Sequence, residues 1–302
     1  MYKIKALNKI SNIVNDELPA AQYVVSEAED APDAVLVRSA SMHDMDVPDT
    51  LVAVARAGAG VNNIPIPEYT KRGIAVFNTP GANANAVAEL VLLGMLMSGR
   101  KVIEGIEWVN TLKGQADVPK LVEKGKGQFV GPELRGKTLG VIGLGAIGAL
   151  VANAAANGLG MEVLGQDPFI SVKNAWTLSR AIKHANTIEE VLQKSDFVSV
   201  NVPLNAETKA LFNAERIAQM KPGAHLLNFS RAELVDGQAV RDALASGQLS
   251  TYVVDFPTDD MIGVKGVICI PHLGASTPES EENCAVMAAA ELREYLERGT
   301  IH

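Results

Sequence analysis

A glycine-rich motif near the middle of the chain constrains the fold more than any other feature. It follows the apolar run Thr138–Ile142 and precedes the small-residue stretch Ala149–Asn157, so it joins a predicted strand to a predicted helix. Glycines at these spacings allow a tight turn, close approach of the backbone to a ligand, and close packing of helix against strand. The motif consists of Gly143, Leu144, Gly145, Ala146, Ile147 and Gly148.

An acidic residue completes the context of this motif. Asp167 stands nineteen residues after Gly148, at the end of the next predicted strand, Glu162–Gly165. A carboxylate at this point accepts hydrogen bonds from ribose hydroxyls and repels a 2′-phosphate, so we expect NAD rather than NADP. The alternative is a glycine turn with an unrelated surface aspartate, and the combination of strand, turn, helix and acid argues against it.

Short β-rich runs alternate with helical patterns on both sides of the motif. Such alternation predicts parallel sheets joined by right-handed helical crossovers. Many of the runs are continuously apolar, as in strands buried on both faces. We therefore expect an α/β protein with two doubly wound parallel-sheet units, Rossmann-like or flavodoxin-like. The predicted strands are Lys3–Leu7, Tyr23–Val25, Ala34–Val37, Leu51–Ala55, Ile74–Phe77, Thr138–Ile142, Glu162–Gly165, Phe197–Asn201, His225–Asn228, Tyr252–Val254 and Val267–Ile270.

Three further segments have clear patterns. Asn83–Ile103 has apolar residues at helical spacing and is predicted to be one long helix that bridges the two units. Lys113–Gly131 is rich in Gly and Lys and is predicted to be a loop or a surface segment. Thr277–Arg298 opens with a capping residue followed by proline, which predicts another helix.

Composition narrows the class of protein. The 302 residues suffice for two domains, and the net charge of −8 argues against an extended nucleic-acid surface. Cys269 and Cys284 form neither a CxxC nor a zinc spacing, so we expect reduced thiols in a cytoplasmic protein and no metal site. Met1–Ile10 lacks the apolar core of a signal peptide, and the apolar stretch Ala86–Met97 is too short to cross a bilayer.

Three polar residues follow apolar strand patterns in the second half of the chain. They are Arg231, Asp259 and His272. Ligands of open α/β sheets bind at the carboxyl ends of the strands, so we expect the three side chains at a ligand site. Taken singly, Arg231 could be a solvated arginine, Asp259 part of a turn and His272 a structural histidine. Their occurrence together beside a dinucleotide motif favours a catalytic role.

The residue types suit hydride transfer to or from a 2-hydroxy or 2-oxo acid. His272 is suited to donate or accept the proton of the substrate oxygen, since histidine titrates near neutrality. The carboxylate of Asp259 would orient the ring and stabilise its protonated form. The planar guanidinium of Arg231 matches a substrate carboxylate better than a lysine would.

These segments together resemble the D-2-hydroxyacid dehydrogenase family. The likeness runs from about Ala34 to the end of the chain. It departs from the family at Asp259, which replaces a glutamate, at Ala146, which replaces an arginine, and at Ala232 and Glu233, which replace glycines. The matching segments are Arg56–Ile64, Asn78–Leu90, Gly143–Gly148, Val202–Thr208, Asn228–Asp236, Phe256–Asp259 and Pro271–Thr277.

The resemblance implies a substrate domain built from both chain ends, with an NAD domain inserted between them. We expect the boundaries at residues 1–93, 94–273 and 274–302, and a homodimer or homotetramer. It assigns catalysis to Arg231, Asp259 and His272, and substrate binding to Gly58, Ala59, Asn83 and Arg231. It assigns cofactor binding, besides the glycine loop and Asp167, to Val202, Pro203, Thr208, Asn228, Ser230, Asp255, His272 and Gly274.

The substrate is less constrained than the reaction. Arg56 precedes the Ala-Gly-Ala-Gly turn and is suited to hold a phosphate, so a phosphorylated 2-hydroxy acid is expected; a plain surface arginine is the alternative. Members with such substrates often carry a C-terminal regulatory domain, and we expect a short form or a chain lacking that domain. A reductase of glyoxylate, hydroxypyruvate or lactate type and a dinucleotide-sensing binding protein are the competing interpretations.

Overall fold

The computed structural model describes residues 1–8 and 10–301, and it divides into two compact units. One unit comprises Met1–Ala86 and Ala275–His302, and the other comprises Val87–Gly274. The division falls near the start of a helix that begins at Ala84, because its residues from Val87 onward pack in the core of the second unit. Within the described residues, no helix has the length and apolarity needed to cross a membrane.

The elements alternate between strand and helix along most of the chain, with two additional short 3₁₀ turns. In chain order they are β1 (Tyr2–Leu7), α1 (Val14–Glu17), β2 (Tyr23–Ser26), β3 (Ala34–Val37), β4 (Ala53–Arg56), α2 (Ile66–Lys71), β5 (Ala75–Asn78), α3 (Ala84–Arg100), α4 (Val102–Thr111), α5 (Val118–Gly125), β6 (Thr138–Ile142), α6 (Ala146–Asn157), β7 (Glu162–Gln166), α7 (Val172–Thr177), β8 (Ile182–His184), α8 (Ile188–Lys194), β9 (Phe197–Val200), α9 (Ala214–Ala218), β10 (Ala224–Asn228), α10 (Gly237–Ser246), β11 (Leu249–Val254), β12 (Val267–Cys269) and α11 (Pro278–Arg298).

The first unit contains a parallel five-stranded sheet in the order β2-β1-β3-β4-β5. Helix α11 covers one face with small residues, including Ala285, Ala288 and Ala289, which allow the helix to approach the strands closely. The Thr277 hydroxyl caps this helix by accepting a hydrogen bond from the Ser280 amide at 3.1 Å. The strand order is the flavodoxin-like one, with its reversal beside β1.

The second unit contains a parallel seven-stranded sheet in the order β12-β11-β10-β9-β6-β7-β8. This is the Rossmann order, and the direction of winding reverses between β6 and β9. Core clusters lie on both faces of the sheet, one around Leu226 and Val254 and the other around Val141 and Phe197. The two doubly wound parallel sheets confirm the predicted fold class.

One prediction of local structure was wrong. The expected single helix over Asn83–Ile103 ends at Arg100, because Lys101 adopts a left-handed conformation with φ 47° before α4 begins. The segment Lys113–Gly131, predicted to be a loop or a surface segment, lies at the surface and contains α5 and a short 3₁₀ helix. The ring centroids of Trp108 in α4 and Phe129 in this segment lie 5.3 Å apart.

Candidate active site

The glycine loop lies where the sheet of the second unit reverses its winding. Gly143 follows β6 with φ +88°, and a Cβ there would lie 2.6 Å from the carbonyl oxygen of Asn201. A Cβ on Gly148 would lie 1.9 Å from the Gly143 carbonyl oxygen. Neither position tolerates a side chain, so the turn depends on glycine at both.

The amino terminus of α6 faces open space at Gly145. No atom lies within 4 Å of a Cβ placed on this glycine, and no side chain caps the helix. Ala146 is exposed and Ile147 half-buried in the first turn. The uncapped amides and the positive end of the helix dipole provide a binding place for an anion such as a pyrophosphate.

Asp167 closes the same loop from the end of β7. One carboxylate oxygen accepts a hydrogen bond from the Leu144 amide and the other from the Phe169 amide, both at 2.8 Å. Each oxygen keeps a lone pair for a ribose hydroxyl. The structure therefore shows how Asp167 both shapes the glycine loop and presents negative charge beside it.

The loop after β9 lies on the other side of the winding reversal. Val202 contacts the glycine loop, since a Cβ on Gly143 would lie 3.0 Å from its side chain. The Thr208 hydroxyl donates to the Pro203 carbonyl at 2.6 Å, which closes this loop on itself. The segment from Val202 to Thr208 is thus a closed loop beside the glycine loop.

Arg231 follows β10 and is held through its backbone by a buried amide. The Asn228 side chain, fully buried, donates to the Arg231 carbonyl at 2.8 Å and to the Tyr252 hydroxyl at 3.2 Å. Its oxygen accepts from the Ser230 amide at 3.2 Å, and the Ser230 hydroxyl donates to the Val200 carbonyl. Sequence analysis did not identify Tyr252, whose role depends on β10 and β11 being neighbours.

His272 follows β12 in a strained backbone conformation. Its φ is +53°, in the left-handed region that β-carbon-bearing residues rarely adopt. The two following amides, of Leu273 and Gly274, each donate to the Asp255 carboxylate at 2.8 Å. A Cβ on Gly274 would lie 2.9 Å from that carboxylate, so glycine is required there.

Asp255 is therefore the carboxylate associated with the histidine turn. It is 1% exposed, and burial raises the pKa of its carboxyl group, while the two backbone amides and the nearby His272 act in the opposite direction. Asp259, by contrast, is exposed and forms no hydrogen bond or ion pair with any described residue. The expected contact of Asp259 with His272 is absent from this structure, and the adjacent Asp260 pairs with Arg241 instead.

One aromatic ring links the histidine and the arginine. The Phe256 ring centroid lies 4.2 Å from that of His272 and 4.9 Å from the guanidinium carbon of Arg231. Arg231 also donates to the Ser230 carbonyl at 2.6 Å. Residues that follow three neighbouring strands, β10, β11 and β12, thus meet at the carboxyl edge of the sheet.

The proposed substrate-loop residues lie in the first unit. Arg56 ends β4, and its Nε donates to the Arg38 carbonyl at 3.0 Å. The Arg56 guanidinium covers Gly58, where a Cβ would lie 1.9 Å from Nη1. The exposed Ala59 is held by its carbonyl, which accepts from the Asn78 side chain at 2.7 Å, and Asn83 is half-buried directly before α3.

Comparison with known proteins identifies the family. Residues 92–274 match the family described as D-isomer specific 2-hydroxyacid dehydrogenase, NAD binding domain. The match includes the glycine loop, Asp167, Arg231 and His272. The chain belongs to this family.

Relatives and solved structures of the D-2-hydroxyacid dehydrogenases resemble the whole chain. A D-3-phosphoglycerate dehydrogenase of Bacillus subtilis is 36% identical over 98% of this chain. This chain spans 57% of that relative's length. A NAD⁺-bound 3-phosphoglycerate dehydrogenase of Entamoeba histolytica is 26% identical with a TM-score of 0.75, covering 99% of this chain and 96% of that one. The holo D-mandelate dehydrogenase of Rhodotorula graminis, 23% identical, shares the fold with a TM-score of 0.82 and covers 97% of this chain and 94% of that one.

The residues present fit the dinucleotide of this family. Gly143 and Gly148 have no room for a side chain, while the space at Gly145 is open. The uncapped start of α6 suits the pyrophosphate, and the carboxylate of Asp167 suits the ribose diol. The second unit is therefore the NAD-binding domain of a D-2-hydroxyacid dehydrogenase.

Proposed function

We propose that the chain oxidises D-3-phosphoglycerate to 3-phosphohydroxypyruvate with NAD as cofactor, the first step of serine biosynthesis. The observation that carries this proposal is the meeting of Arg231 and His272 against Phe256 at the carboxyl edge of a dinucleotide-binding sheet. The substrate is taken from the name of the relative that is 36% identical over nearly the whole chain.

The roles follow from the chemistry of a 2-hydroxy acid. Arg231 binds the substrate carboxylate through its planar guanidinium. A ring nitrogen of His272 accepts the hydroxyl proton as the carbon–oxygen double bond forms at carbon 2. When bound, NAD⁺ supplies the acceptor for the hydride that leaves carbon 2. Arg56 binds the phosphate, and Gly58, Ala59 and Asn83 complete the substrate loop.

Asp255 and Asp259 have different roles in this proposal. Asp255 holds the turn that carries His272. Burial raises the pKa of its carboxyl group, and the amides of Leu273 and Gly274 and the nearby His272 act against this rise. Asp259 is assigned as the acid that stabilises the imidazolium when substrate is bound. Its carboxylate is exposed and has no hydrogen-bond or ion-pair partner among the described residues.

The cofactor contacts are proposed for the residues around the winding reversal. The glycine loop, including Ala146 and Ile147, binds the pyrophosphate, and Asp167 binds the ribose. A second set lies around the nicotinamide end. It comprises Val202, Pro203, Thr208, Asn228, Ser230, Asp255, His272 and Gly274.

A substrate panel tests this function. The purified chain is mixed with NAD⁺ and, in turn, D-3-phosphoglycerate, D-glycerate and D-lactate, and NADH absorbance is followed. We expect the highest kcat/KM with D-3-phosphoglycerate. A higher kcat/KM with an unphosphorylated acid would reassign the substrate, and NADH binding without turnover of any acid would indicate a dinucleotide-sensing protein.

We also propose that the chain forms a homodimer through α3 and α4. These helices carry large apolar side chains that are about half exposed: Leu93 and Leu96 on α3, and Val102, Ile106 and Val109 on α4. Exposed apolar residues at i, i+4 and i+7 on one helix are typical of a helix face that packs against a partner.

Light scattering tests the dimer. We expect wild-type protein at the mass of a dimer and Ile106→Asp at that of a monomer. Val172→Asp, at an exposed apolar position on α7, serves as the matched control and should stay dimeric. Monomeric wild-type protein with full turnover would refute the proposal.

The cytoplasm is the proposed compartment. Cys269 and Cys284 are both free thiols, one half-buried and the other buried. Free thiols persist in reducing compartments, which supports this placement.

A further inference from the structure

The ring of Phe256 lies at the sheet edge and contacts both Arg231 and His272. In the sheet, β11 lies between β10 and β12. Phe256 follows β11 by two residues, while Arg231 follows β10 and His272 follows β12 by three residues each. A side chain that follows the central strand is therefore within reach of side chains that follow both neighbours.

Arg231 and His272 both contact the Phe256 ring. The guanidinium carbon of Arg231 lies 4.9 Å from the ring centroid, which is a cation–π distance. The His272 imidazole lies at 4.2 Å between centroids, with 44° between the ring planes, so the two rings are in direct contact. The base of Phe256 packs against the hydrophobic core around β10 and β11, which anchors the ring.

The orientation of the His272 imidazole depends on this ring. The Asp255 carboxylate binds the amides of Leu273 and Gly274, which fixes the backbone of the turn but not the rotation of the imidazole. Across the described part of the chain, the imidazole itself forms no hydrogen bond, and its ring contact is with Phe256. Among the described residues, contact with the Phe256 ring therefore limits the rotation of the His272 imidazole.

We propose that Phe256 is a positioning residue that holds the Arg231 guanidinium and the His272 imidazole in a fixed mutual orientation. This proposal rests on the proposed function, in which the two groups act on adjacent carbons of one substrate. Arg231 binds the carboxylate at carbon 1, and His272 takes the proton from the hydroxyl on carbon 2. Both contacts form at once only when the two side chains keep the right spacing, and contact with the same aromatic ring maintains that spacing.

Two substitutions distinguish the effect of the aromatic ring from the effect of apolar side-chain volume alone. Phe256→Leu keeps an apolar side chain but removes the aromatic face, whereas Phe256→Tyr keeps the face. The cavity of about 200 Å³ that Phe256 lines gives room for the added hydroxyl. Phe212→Leu, in the same core cluster, is the matched control for loss of a buried ring.

Steady-state kinetics with whichever 2-hydroxy acid turns over gives the first readout. We expect Phe256→Leu to lower kcat/KM for the acid roughly two- to fivefold for the lost cation–π contact, and further through the freed imidazole. The KM for NAD⁺ should stay unchanged in Phe256→Leu, and Phe256→Tyr should keep the wild-type kcat/KM for the acid. An equal loss in the Tyr and Leu variants, or no loss in either, would overturn the proposal.

The ring protons of His272 give a second readout that needs no substrate. In ¹H–¹³C spectra of histidine-labelled protein, the signal absent from His272→Gln is assigned to His272. We expect Phe256→Leu to shift this signal by removing the aromatic ring current, while Phe256→Tyr and Phe212→Leu leave it in place. An unmoved signal in Phe256→Leu would refute the contact itself, whatever the substrate proves to be.

Discussion

Replacing Asp255 with asparagine tests how the histidine turn is held. The carboxylate accepts two hydrogen bonds at 2.8 Å, from the amides of Leu273 and Gly274. Asparagine offers one acceptor oxygen and sets its NH₂ group against the second amide, so one of the two bonds is lost. The left-handed conformation of His272, with φ +53°, then loses half of its support.

The free energies of the lost hydrogen bond and of the left-handed conformation decide whether the turn keeps its shape. A hydrogen bond to a charged group contributes about 1.5–3 kcal/mol. A left-handed conformation at a residue with a Cβ costs roughly 1–2 kcal/mol. Because the lost bond is of the same size as the strain that it offsets, the left-handed conformation of His272 should be less populated in Asp255→Asn. We expect kcat to fall on the order of tenfold, which corresponds to about 1.4 kcal/mol.

Three assays separate this role from a direct contact with the cofactor. Thermal unfolding should show a lower Tm for Asp255→Asn and kcat should fall. The Kd for NADH measured by fluorescence should rise by less than kcat falls, since Asp255 is one of eight proposed contacts at the nicotinamide end. Asp242→Asn, at an exposed aspartate on α10, is the control and should match wild type in all three. An unchanged Tm and kcat together with a much weaker Kd for NADH would refute the clamp and leave Asp255 as a cofactor contact alone.

Four further results are expected. Asp167→Ser should raise the affinity for NADPH relative to NADH in a fluorescence titration, because the carboxylate that repels a 2′-phosphate is gone; an unchanged ratio would contradict its role. Arg56→Ala should raise the KM for D-3-phosphoglycerate far more than that for D-glycerate, and an equal change in both would make Arg56 structural. Asp259→Asn should narrow the pH range of reductive turnover at its alkaline side, whereas an unmoved profile would remove Asp259 from catalysis. Burial lowers the pKa of His225 to about 4, so the imidazole binds a proton more readily in the unfolded chain, and the free energy of unfolding should fall by about 3 kcal/mol as the pH drops from 6.5 to 4. Denaturant titrations should show that His225→Leu loses this pH dependence and that the exposed His184→Gln keeps it. A pH dependence that survives His225→Leu would contradict the assignment.

Local sequence patterns sufficed for the fold class and for the dinucleotide loop. The motif from Gly143 to Gly148 is contiguous, and Gly148 is required by its contact with Gly143 in the same turn. Asp167 follows from the length of one helix and one strand. The strands of the second sheet are buried on both faces and therefore appear as continuous apolar runs, which made most of them predictable.

The contacts around the histidine depend on information that the sequence does not display locally. Asp255 binds amides about eighteen residues later, and it does so only because His272 takes a left-handed conformation. Phe256 touches both Arg231 and His272 because β11 lies between β10 and β12. Strand order in a sheet is a tertiary property, so no spacing rule identifies this ring.

The error in local structure lies at a single residue. The helix that was expected to continue to Ile103 breaks where Lys101 adopts φ 47°, although lysine is a good helix former. The segment Lys113–Gly131 lies at the surface, as one of the two predicted alternatives, but it also forms α5, which its Gly and Lys content did not indicate.

Turnover of D-3-phosphoglycerate by wild-type protein and by His272→Ala, measured beside NADH binding, tests the central claim most directly. We expect wild-type protein to form NADH and 3-phosphohydroxypyruvate in equal amounts. His272→Ala should lower kcat about a hundredfold or more, because general acid–base catalysis typically supplies that much. The Kd for NADH should change far less than kcat, since His272 is one of eight proposed cofactor contacts. Full turnover by His272→Ala would contradict the account.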